Sequence, residues 1–358
     1  MNTSYQEQLT DKISITRNEF SALFAGDIDV YASPPSAYRM RAEFKAWQQG
    51  DRVDYAMYQP GQYKTPYIIT QFEAGSDFMQ QLMPQLLKTL NQSAILRHKL
   101  FQIEFLTSTT NETVVTLIYH KPLSDEWKTQ ATIASEQLSA SIVGRSRKQK
   151  IVIGENSVIE RFSVMGQTFS YQQVESSFTQ PNASVCQDML NWASKKAQGF
   201  GGDLLELYCG NGNFTLPLAQ QFNKVLATEV SKASIQSAQY NCQLNNIDNI
   251  NFVRMSSEEL TQALNKERPF RRLQNIDLST YRFTTIFVDP PRAGLDAKTN
   301  SLIQRFDNII YISCNPETLK QNIEYVQESH YVKDMALFDQ FPFTHHRECG
   351  AILKKKFT

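Results

Sequence analysis

The stretch from Asp203 to Thr215 constrains the fold of this chain more than any other part of the sequence. It reads Asp-Leu-Leu-Glu-Leu-Tyr-Cys-Gly-Asn-Gly-Asn-Phe-Thr, so an apolar run ends on two closely spaced glycines, Gly210 and Gly212. Helical spacing follows from Phe214 to Gln221. A strand that ends on glycines and opens a helix brings backbone N–H groups close to a bound cofactor. The stretch therefore predicts a βαβ unit with a nucleotide-type site.

The next predicted strand, Val225 to Thr228, runs into Glu229, which lies 19 residues after Gly210. A βαβ unit places at this spacing the carboxylate that binds ribose hydroxyls. A dinucleotide fingerprint needs a third glycine, and Thr215 stands in its place. With Glu206 inside the first strand, the pattern resembles the first motif of S-adenosylmethionine-dependent methyltransferases. Other Rossmann-like folds stay open on this motif alone, because short glycine motifs have false positives.

Length and composition indicate two ordinary globular domains. The 358 residues are 41% hydrophobic, and no apolar run approaches the ~20 residues of a membrane span. The polar N-terminus shows no secretory signal. Five cysteines, all in the second half, indicate reduced thiols in a cytoplasmic enzyme rather than a disulfide framework. Because 36 basic residues balance 36 acidic ones, any surface for nucleic acid must be local.

The first 170 residues alternate between strand and helix patterns. Together they predict an α+β domain, residues 1–170, built on an antiparallel sheet with flanking helices. Pro84 either kinks one of these helices or marks its true start. The predicted helices are residues 3–25, 78–90 and 125–142, and the predicted strands are residues 38–47, 53–59, 99–106, 113–120 and 150–154.

The strand at residues 38–47 presents basic and aromatic side chains at alternate positions. Arg39, Arg41, Lys45 and Trp47 share one face with Glu43. Such a face suits a single-stranded nucleic acid, with bases stacked on rings and phosphates bound by cations. An amphipathic strand with solvated charges gives the same pattern, and the pattern alone favours that simpler interpretation. The densest basic cluster of the first half, Arg145, Arg147, Lys148 and Lys150, could bind phosphate, but a cluster this short is more often a solvated loop.

Residues 171–358 predict a second domain, in which strands alternate with helices. This order indicates a doubly wound α/β sheet of seven strands with a close pair at the end. The predicted helices are residues 232–244, 297–306 and 316–328, and the predicted strands are residues 204–208, 225–228, 251–253, 285–288, 309–313, 335–338 and 351–353.

Two of these strands end in residues that can carry chemistry. The strand at 285–288 runs into Asp289-Pro-Pro-Arg292, and the next strand runs into Cys314-Asn-Pro316. Loops after the carboxyl ends of parallel strands form the ligand crevice of such a sheet. Asp289 should therefore face a cofactor and a nucleobase. The alternative is a rigid turn at the end of the strand, in which the acid is an N-cap. The helix beginning near Pro316 should lower the pKa of Cys314 and favour a nucleophilic thiolate, although buried cysteines are usually small hydrophobic residues.

The segment before the last strand reads His345-His-Arg-Glu348-Cys-Gly350. Glu348 could reach the same edge of the sheet, or it could lie in a solvated loop; the segment alone leaves both open. Adjacent histidines on an extended segment point to opposite sides, and no further ligands cluster nearby, so no metal site is predicted.

Together these motifs resemble the RNA 5-methyluridine methyltransferase family. The resemblance runs from Tyr171 onward and lies in Ser177-Phe-Thr-Gln180-Pro-Asn182, Glu206 to Asn213, Asp289 to Arg292, Ser313 to Pro316 and His345 to Gly350. It implies a Rossmann-like seven-stranded methyltransferase domain, preceded by an RNA-binding α+β domain, that methylates uracil C5 with S-adenosylmethionine. The residues it assigns are Cys314 as nucleophile, Glu348 as base, and Gln180, Tyr208, Asn213, Glu229 and Asp289 as cofactor contacts.

The residues from Tyr38 to Phe44 resemble the tRNA (uracil-5-)-methyltransferase branch of this family. No cysteine precedes Cys186, so the Cys-ligated iron–sulfur cluster of ribosomal-RNA members is not expected. The implied substrate is the T-loop uridine at position 54 of tRNA, with a T-like loop of tmRNA left open. No obligate protein partner is evident.

Three other functions compete with this interpretation. An RNA cytosine-C5 methyltransferase would carry a cysteine where Pro291 stands, and an adenine N-methyltransferase would carry an aromatic residue where Arg292 stands. A tRNA-binding protein without catalysis would show tRNA binding that survives Cys314→Ala and no methyl transfer.

Overall fold

The computed structural model describes residues 4–59, 61 and 65–356. Its helices in these ranges are α1 Tyr5–Phe20, α2 Asp77–Gln92, α3 Ala94–Arg97, α4 Asp125–Leu138, α5 Ala183–Ala197, α6 Thr215–Leu218, α7 Lys232–Leu244, α8 Ser257–Leu264, α9 Ala297–Ile303 and α10 Pro316–Val326. Its strands are β1 Ile28–Tyr31, β2 Arg41–Gln49, β3 Arg52–Tyr58, β4 Pro66–Ile68, β5 Leu100–Thr107, β6 Thr113–Tyr119, β7 Ser141–Ser146, β8 Gln149–Ile153, β9 Ser157–Val164, β10 Gln167–Val174, β11 Asp203–Leu207, β12 Val225–Thr228, β13 Ile250–Val253, β14 Phe283–Val288, β15 Asn308–Ser313, β16 His330–Phe338 and β17 Glu348–Lys355.

The described chain forms two compact units. The doubly wound unit comprises the described residues of Met1–Ser33, Phe162–Tyr171 and Ser184–Thr358. The antiparallel unit comprises those of Pro34–Arg161 and Gln172–Ala183. This grouping differs from the division at residue 170, since α1 and β1 join the C-terminal half of the chain. The reason is that β1 pairs with β16, more than 300 residues away in sequence. That residues 1–170 bind RNA stays a prediction.

The antiparallel unit is a seven-stranded sheet in the order β4-β3-β2-β5-β6-β7-β8. All neighbours are antiparallel except β6 and β7, which α4 connects as a parallel pair. Strand β2 alternates as predicted, burying Phe44 and its even-numbered neighbours while the odd-numbered residues face outward. Helices α2 and α4 cover the inner face, where Leu86 and Trp127 are fully buried. Pro84 lies inside α2 and does not start it.

The doubly wound unit contains an eight-stranded sheet in the order β1-β16-β17-β15-β14-β11-β12-β13. Strand β17 is antiparallel to both neighbours, and all other pairs are parallel. The seven predicted strands are confirmed in place, and β1 is an additional edge strand. Every residue of the central strands β11 and β12 is buried, which explains their unbroken apolar runs.

Helices cover both faces of this sheet, as a doubly wound fold requires. On one face, Leu302 of α9 and Leu319 of α10 share a core with Leu205 of β11. On the other face, Trp192 of α5 packs edge-on against Phe338 at a ring distance of 5.7 Å, and Phe214 packs on Phe287 at 4.8 Å. Since the parallel strands share one direction, β15, β14, β11 and β12 all end at the same edge, where β17 begins. This edge carries the candidate site.

Candidate active site

The loop after β11 has an unusual backbone that leaves room for a ligand. Tyr208, Gly210 and Gly212 all have positive φ angles, of 62°, 56° and 85°. A Cβ at Gly212 would lie 2.8 Å from Leu216 Cδ1, so the helix can pack closely only because this residue is glycine. A Cβ at Gly210 would meet no described atom within 4 Å. The backbone at Gly210 is therefore open to close approach by a bound molecule.

Glu229 lies where the sequence predicts it, just beyond β12. Its carboxylate accepts hydrogen bonds from the backbone N–H of Gly210 at 3.3 Å and of Ser231 at 2.8 Å. These bonds hold the acid beside the glycine loop. The arrangement has the form of a ribose-binding carboxylate next to a cofactor loop.

Glu206 is a buried carboxyl beneath the same loop. Its side chain is almost wholly inaccessible, and burial raises its pKa to about 8. Among the described residues, its Oε2 atom has no hydrogen-bond partner. Buried acceptors are almost always paired, so the protein leaves here an acceptor that a bound molecule could satisfy.

Asn213 and Tyr208 lie at this edge and contact residues that the sequence analysis did not select. Asn213 Nδ2 donates to Cys186 Sγ at 3.4 Å, and its carbonyl accepts from the Tyr171 hydroxyl at 3.0 Å. The Tyr208 hydroxyl donates to Ser257 Oγ at 3.1 Å. Ser257 follows β13, so the rule that ligands bind after strand ends could have found it; no local pattern marks Cys186.

Gln180 lies in the antiparallel unit, in the segment 175–182. The Met40 N–H donates to the carbonyl of the neighbouring Pro181 at 2.7 Å. The Arg41 guanidinium donates to the carbonyls of Glu175, at 2.6 Å, and Ser177. Arg41 thus holds the backbone that leads to Gln180.

The basic cluster predicted as a loop or phosphate grip serves a different purpose. Arg145 and Lys150 both bind the buried carboxylate of Glu175, at 2.6 and 2.9 Å. These two cations, with Arg41, neutralise and fix a segment of the protein itself, so the solvated-loop interpretation is wrong for Arg145 and Lys150.

Strand register brings Cys314 and Glu348 together. In the antiparallel pair of β15 and β17, Ile312 lies opposite Gly350 and Ser313 lies opposite Cys349. One step further along this register, Cys314 comes opposite Glu348, the first residue of β17. Residues opposite each other on antiparallel strands have Cα atoms about 4.5–5.5 Å apart. A thiol and a carboxyl that are 34 residues apart in sequence thus become neighbours.

Asp289 reaches Cys314 from the other side. It directly follows β14, which is parallel to β15 and pairs Val288 with Tyr311. Cys314 therefore directly follows β15, the strand that lies between β14, which leads to Asp289, and β17, which begins at Glu348. The carboxyls of Asp289 and Glu348 interact, and burial together with this mutual repulsion raises the pKa of Glu348. Burial likewise raises the pKa of Asp289.

The predicted lowering of the Cys314 pKa is wrong. Burial, then the charges of Glu348 and Asp289, raise the pKa of this thiol to about 11, and Arg292 opposes them only in part. Helix α10 does begin at Pro316, as predicted, with Asn315 as its N-cap. The thiol pKa is nevertheless raised, first by partial burial and then by the two acids that the neighbouring strands bring close to the thiol.

Cys314 opens into a cleft of about 530 Å³. It is the exposed cysteine of the chain; Cys186, Cys209, Cys242 and Cys349 are buried. The cleft combines cationic and imidazole side chains with amides and acids, and its lining is Glu19, Arg292, Cys314, Asn315, Pro316, Glu317, Lys320, Gln321, Glu324, His345, His346 and Arg347. An exposed thiol in a polar cleft that is lined by side chains of both charges can contact a polar substrate.

The two histidines do not point apart as predicted. The rings of His345 and His346 stack at 4.6 Å, because the segment that carries them is a series of turns and not an extended strand. Within the described ranges, no three His, Cys, Asp or Glu side chains are grouped as metal ligands would be. None of the helices in those ranges combines the length and apolar character needed to cross a membrane.

Comparison with known proteins finds a matching family model and similar sequences over nearly the whole chain. It matches the family model described as tRNA (Uracil-5-)-methyltransferase over residues 4–356. It is 58% identical over 354 residues to the tRNA/tmRNA (uracil-C(5))-methyltransferase of Saccharophagus degradans, covering 99% of this chain and 97% of the relative. It is 51% identical to the protein of the same name from Neisseria meningitidis serogroup A, covering 99% of both.

A solved structure shares the fold. The tRNA (uracil-54, C5)-methyltransferase of Pyrococcus abyssi, crystallised with S-adenosyl-L-homocysteine, aligns with a TM-score of 0.74 at 20% identity, covering 96% of this chain and 83% of that one. At this identity the likeness confirms the predicted architecture.

Proposed function

The chain belongs to the tRNA (uracil-5-)-methyltransferase family, and from this premise we propose that it transfers a methyl group from S-adenosylmethionine to C5 of uracil in RNA. The names of its relatives support tRNA and tmRNA as substrates. Within tRNA, the target we propose is the T-loop uridine at position 54, as the sequence resemblance implies. Such a reaction would take place in the cytoplasm.

The observation that carries this proposal is the register that sets Cys314 opposite Glu348. Uracil C5 is a poor nucleophile, and addition of the Cys314 thiolate to C6 makes it enolate-like. After C5 has received the methyl group, Glu348 removes the C5 proton. The electrons of that C–H bond form the C5–C6 double bond, and the sulfur leaves with the electron pair of the S–C6 bond. The proposed reaction needs a nucleophile and a base close together, and the register of β15 and β17 supports Cys314 and Glu348 in these roles.

The cofactor would be held by the glycine loop and its surroundings. Tyr208, Asn213, Glu229 and Asp289 lie at or next to the strand ends around this loop, and Gln180 is proposed as a cofactor contact from the sequence resemblance alone. The open approach at Gly210 and the unpaired oxygen of Glu206 fit a ligand with a donor group. When bound, S-adenosylmethionine supplies an electrophilic methyl group.

RNA recognition is assigned to the antiparallel unit, whose β2 presents Lys45 and Trp47 on its outer face. The Arg41 guanidinium donates to backbone carbonyls of the protein, so fewer cations on that face remain available to bind phosphate. The cleft residues Arg292 and Lys320 would then bind the backbone of the target nucleotide at Cys314.

The test uses tRNA whose target uridine is replaced by 5-fluorouridine. Fluorine does not leave C5 as a proton does, so methylation should stop at a covalent protein–RNA adduct that survives denaturant. The wild type and the control Cys242→Ala, which changes a buried cysteine, should form the adduct, and Cys314→Ala should not. Methyl transfer by the wild type without any adduct would contradict uracil C5 as the target.

A further inference from the structure

Helix α1 directs a row of polar side chains toward the loop that precedes Glu348. Tyr5, Gln8, Lys12, Thr16 and Glu19 are spaced by three or four residues and share one side of the helix. Each of them contacts a residue between 339 and 347. A helix that packs on its own domain usually does so through apolar side chains at this spacing. Here the side chains of this row, which we name the polar stripe, form hydrogen bonds instead of apolar contacts.

The first anchor is a buried ion pair at the start of the loop. Lys12 Nζ lies 2.7 Å from Asp339 Oδ1, and at most 4% of either side chain is exposed. Lys12 also donates to the carbonyl of Phe341 at 2.9 Å, and the Tyr5 hydroxyl donates to Asp339 Oδ2 at 2.8 Å. A buried ion pair is tolerated when further hydrogen bonds satisfy both partners, as they do here. The start of the loop is therefore fixed to α1.

The second anchor is Gln8, which binds the middle of the loop with both ends of its amide. Its Oε1 accepts from the Phe343 N–H at 2.6 Å, and its Nε2 donates to the Thr344 carbonyl at 3.0 Å. Phe343 has a φ of 60°, a left-handed conformation that is unfavourable for a residue other than glycine. The loop adopts this conformation because the bonds to Gln8 compensate for it.

The third anchor lies at the cleft. The Arg347 guanidinium donates to Glu19 at 2.7 Å and to the Thr16 hydroxyl at 3.1 Å. Arg347 and Glu19 both line the cleft, and Glu348 is the next residue. The end of the loop is thus tied to α1 next to the proposed base.

We propose that the polar stripe positions the catalytic loop: it holds residues 339–347 so that His345, His346 and Arg347 form a wall of the cleft and Glu348 meets Cys314. This inference rests on the proposed function. Residues 339–347 contain no helix or strand, and ordering each residue of such a segment costs conformational entropy. The hydrogen bonds of the stripe offset that cost. Without them the loop would sample other arrangements, and Glu348 would meet the C5 proton less often.

The experiment compares Gln8→Ala with Gln6→Ala. Both remove the same side chain from α1, but Gln6 is exposed and lies off the stripe. In hydrogen exchange, the amides of Phe341 and of residues 343–347, above all Phe343, should exchange about tenfold faster in Gln8→Ala, as expected for the loss of one or two hydrogen bonds. With natural uridine RNA, kcat should fall several-fold while KM for S-adenosylmethionine stays constant. The covalent protein–RNA complex should persist longer, because removal of the C5 proton is slowed.

Two results would overturn the inference. In one, Gln8→Ala matches Gln6→Ala in exchange and turnover; in the other, its loop exchanges faster but kcat and the covalent complex are unchanged. A wild type without methyl transfer would instead overturn the proposed function, and with it the catalytic purpose of the stripe. The wild-type measurement therefore separates the two failures.

Discussion

The charge of Glu348 should control how readily the Cys314 thiol ionises. With a pKa of about 11, the thiol is about 100-fold less ionised at pH 8 than one at the ordinary value of 9.0. Burial contributes most, and Glu348 contributes next. Replacing Glu348 by Gln keeps the shape of the side chain and removes its charge. The pKa of Cys314 should fall, so its thiolate fraction at a given pH should rise.

The size of this effect follows from the strand register. Opposite residues on antiparallel strands place their side chains about 5 Å apart. Two unit charges at that distance interact by about 3 kcal/mol at an effective dielectric constant of 20 and by about 1 kcal/mol in water. Cys314 is exposed, so a value between these limits applies. Since 1.4 kcal/mol corresponds to a tenfold change, the thiolate fraction should increase by about tenfold in Glu348→Gln.

Alkylation by iodoacetamide measures this fraction directly, because the thiolate is the reacting form. Cys314 is the exposed cysteine and the other four are buried, so the native protein should be labelled at one position, and Cys314→Ala should not be labelled. The rate should rise about tenfold per pH unit from pH 7 to 10. Glu324→Gln, which removes a carboxylate from another part of the cleft wall, is the matched control. Equal rates in the wild type and Glu348→Gln at every pH would refute the reasoning.

Two further predictions concern the glycine loop. The raised pKa of Glu206 means that the folded protein keeps a proton which the unfolded chain loses above about pH 4.5, so stability should fall as pH rises toward 8. Urea unfolding at pH 5.5 and 7.5 should show the wild type losing about 1 kcal/mol per pH unit relative to Glu206→Gln, and a constant difference would contradict this. Gly212→Ala should destabilise the protein by more than the ~1–2 kcal/mol of a positive φ and weaken S-adenosylmethionine binding in calorimetry. Gly199→Ala, with a φ of 79° and no described atom near its Cβ, should show the backbone cost alone, and equal losses would exclude the contact with Leu216.

Much of the fold follows from local patterns. The helix at 232–244 is found with its predicted bounds, and the seven central strands lie within a few residues of prediction, because strongly periodic segments carry their own signal. Strand β1 was missed because its four residues form a strand only by pairing with β16, which lies near the other end of the chain. Strand β7 was read as the end of a helix, whereas α4 ends at Leu138 and Ser139 turns the chain with a φ of 50°. Such tertiary pairings leave no local pattern.

The sequence predicts where the site residues lie in the fold, but it does not predict which charged groups surround them. The strand-end rule correctly brings Asp289 and Cys314 to one edge, and the register of β17 adds Glu348. The pKa of Cys314 was wrong because a sequence shows the helix that follows a cysteine but not the acids that neighbouring strands bring to it. The stacking of His345 on His346 was missed for a related reason, since the turn that produces it is held by contacts with α1.

The environment that disfavours the Cys314 thiolate favours the other half of the proposed reaction. Burial and the charge of Asp289 raise the pKa of Glu348, so its carboxylate is a stronger base than a solvated glutamate and better matched to taking a proton near neutral pH. In turn, partial burial and then these acids raise the pKa of Cys314, so we expect its thiol to react slowly with alkylating agents and oxidants while no RNA is bound. The thiolate must then form in the RNA complex. We expect protonation of one carboxyl there to remove part of the effect that raises the thiol pKa, while the charge of Arg292 continues to lower it.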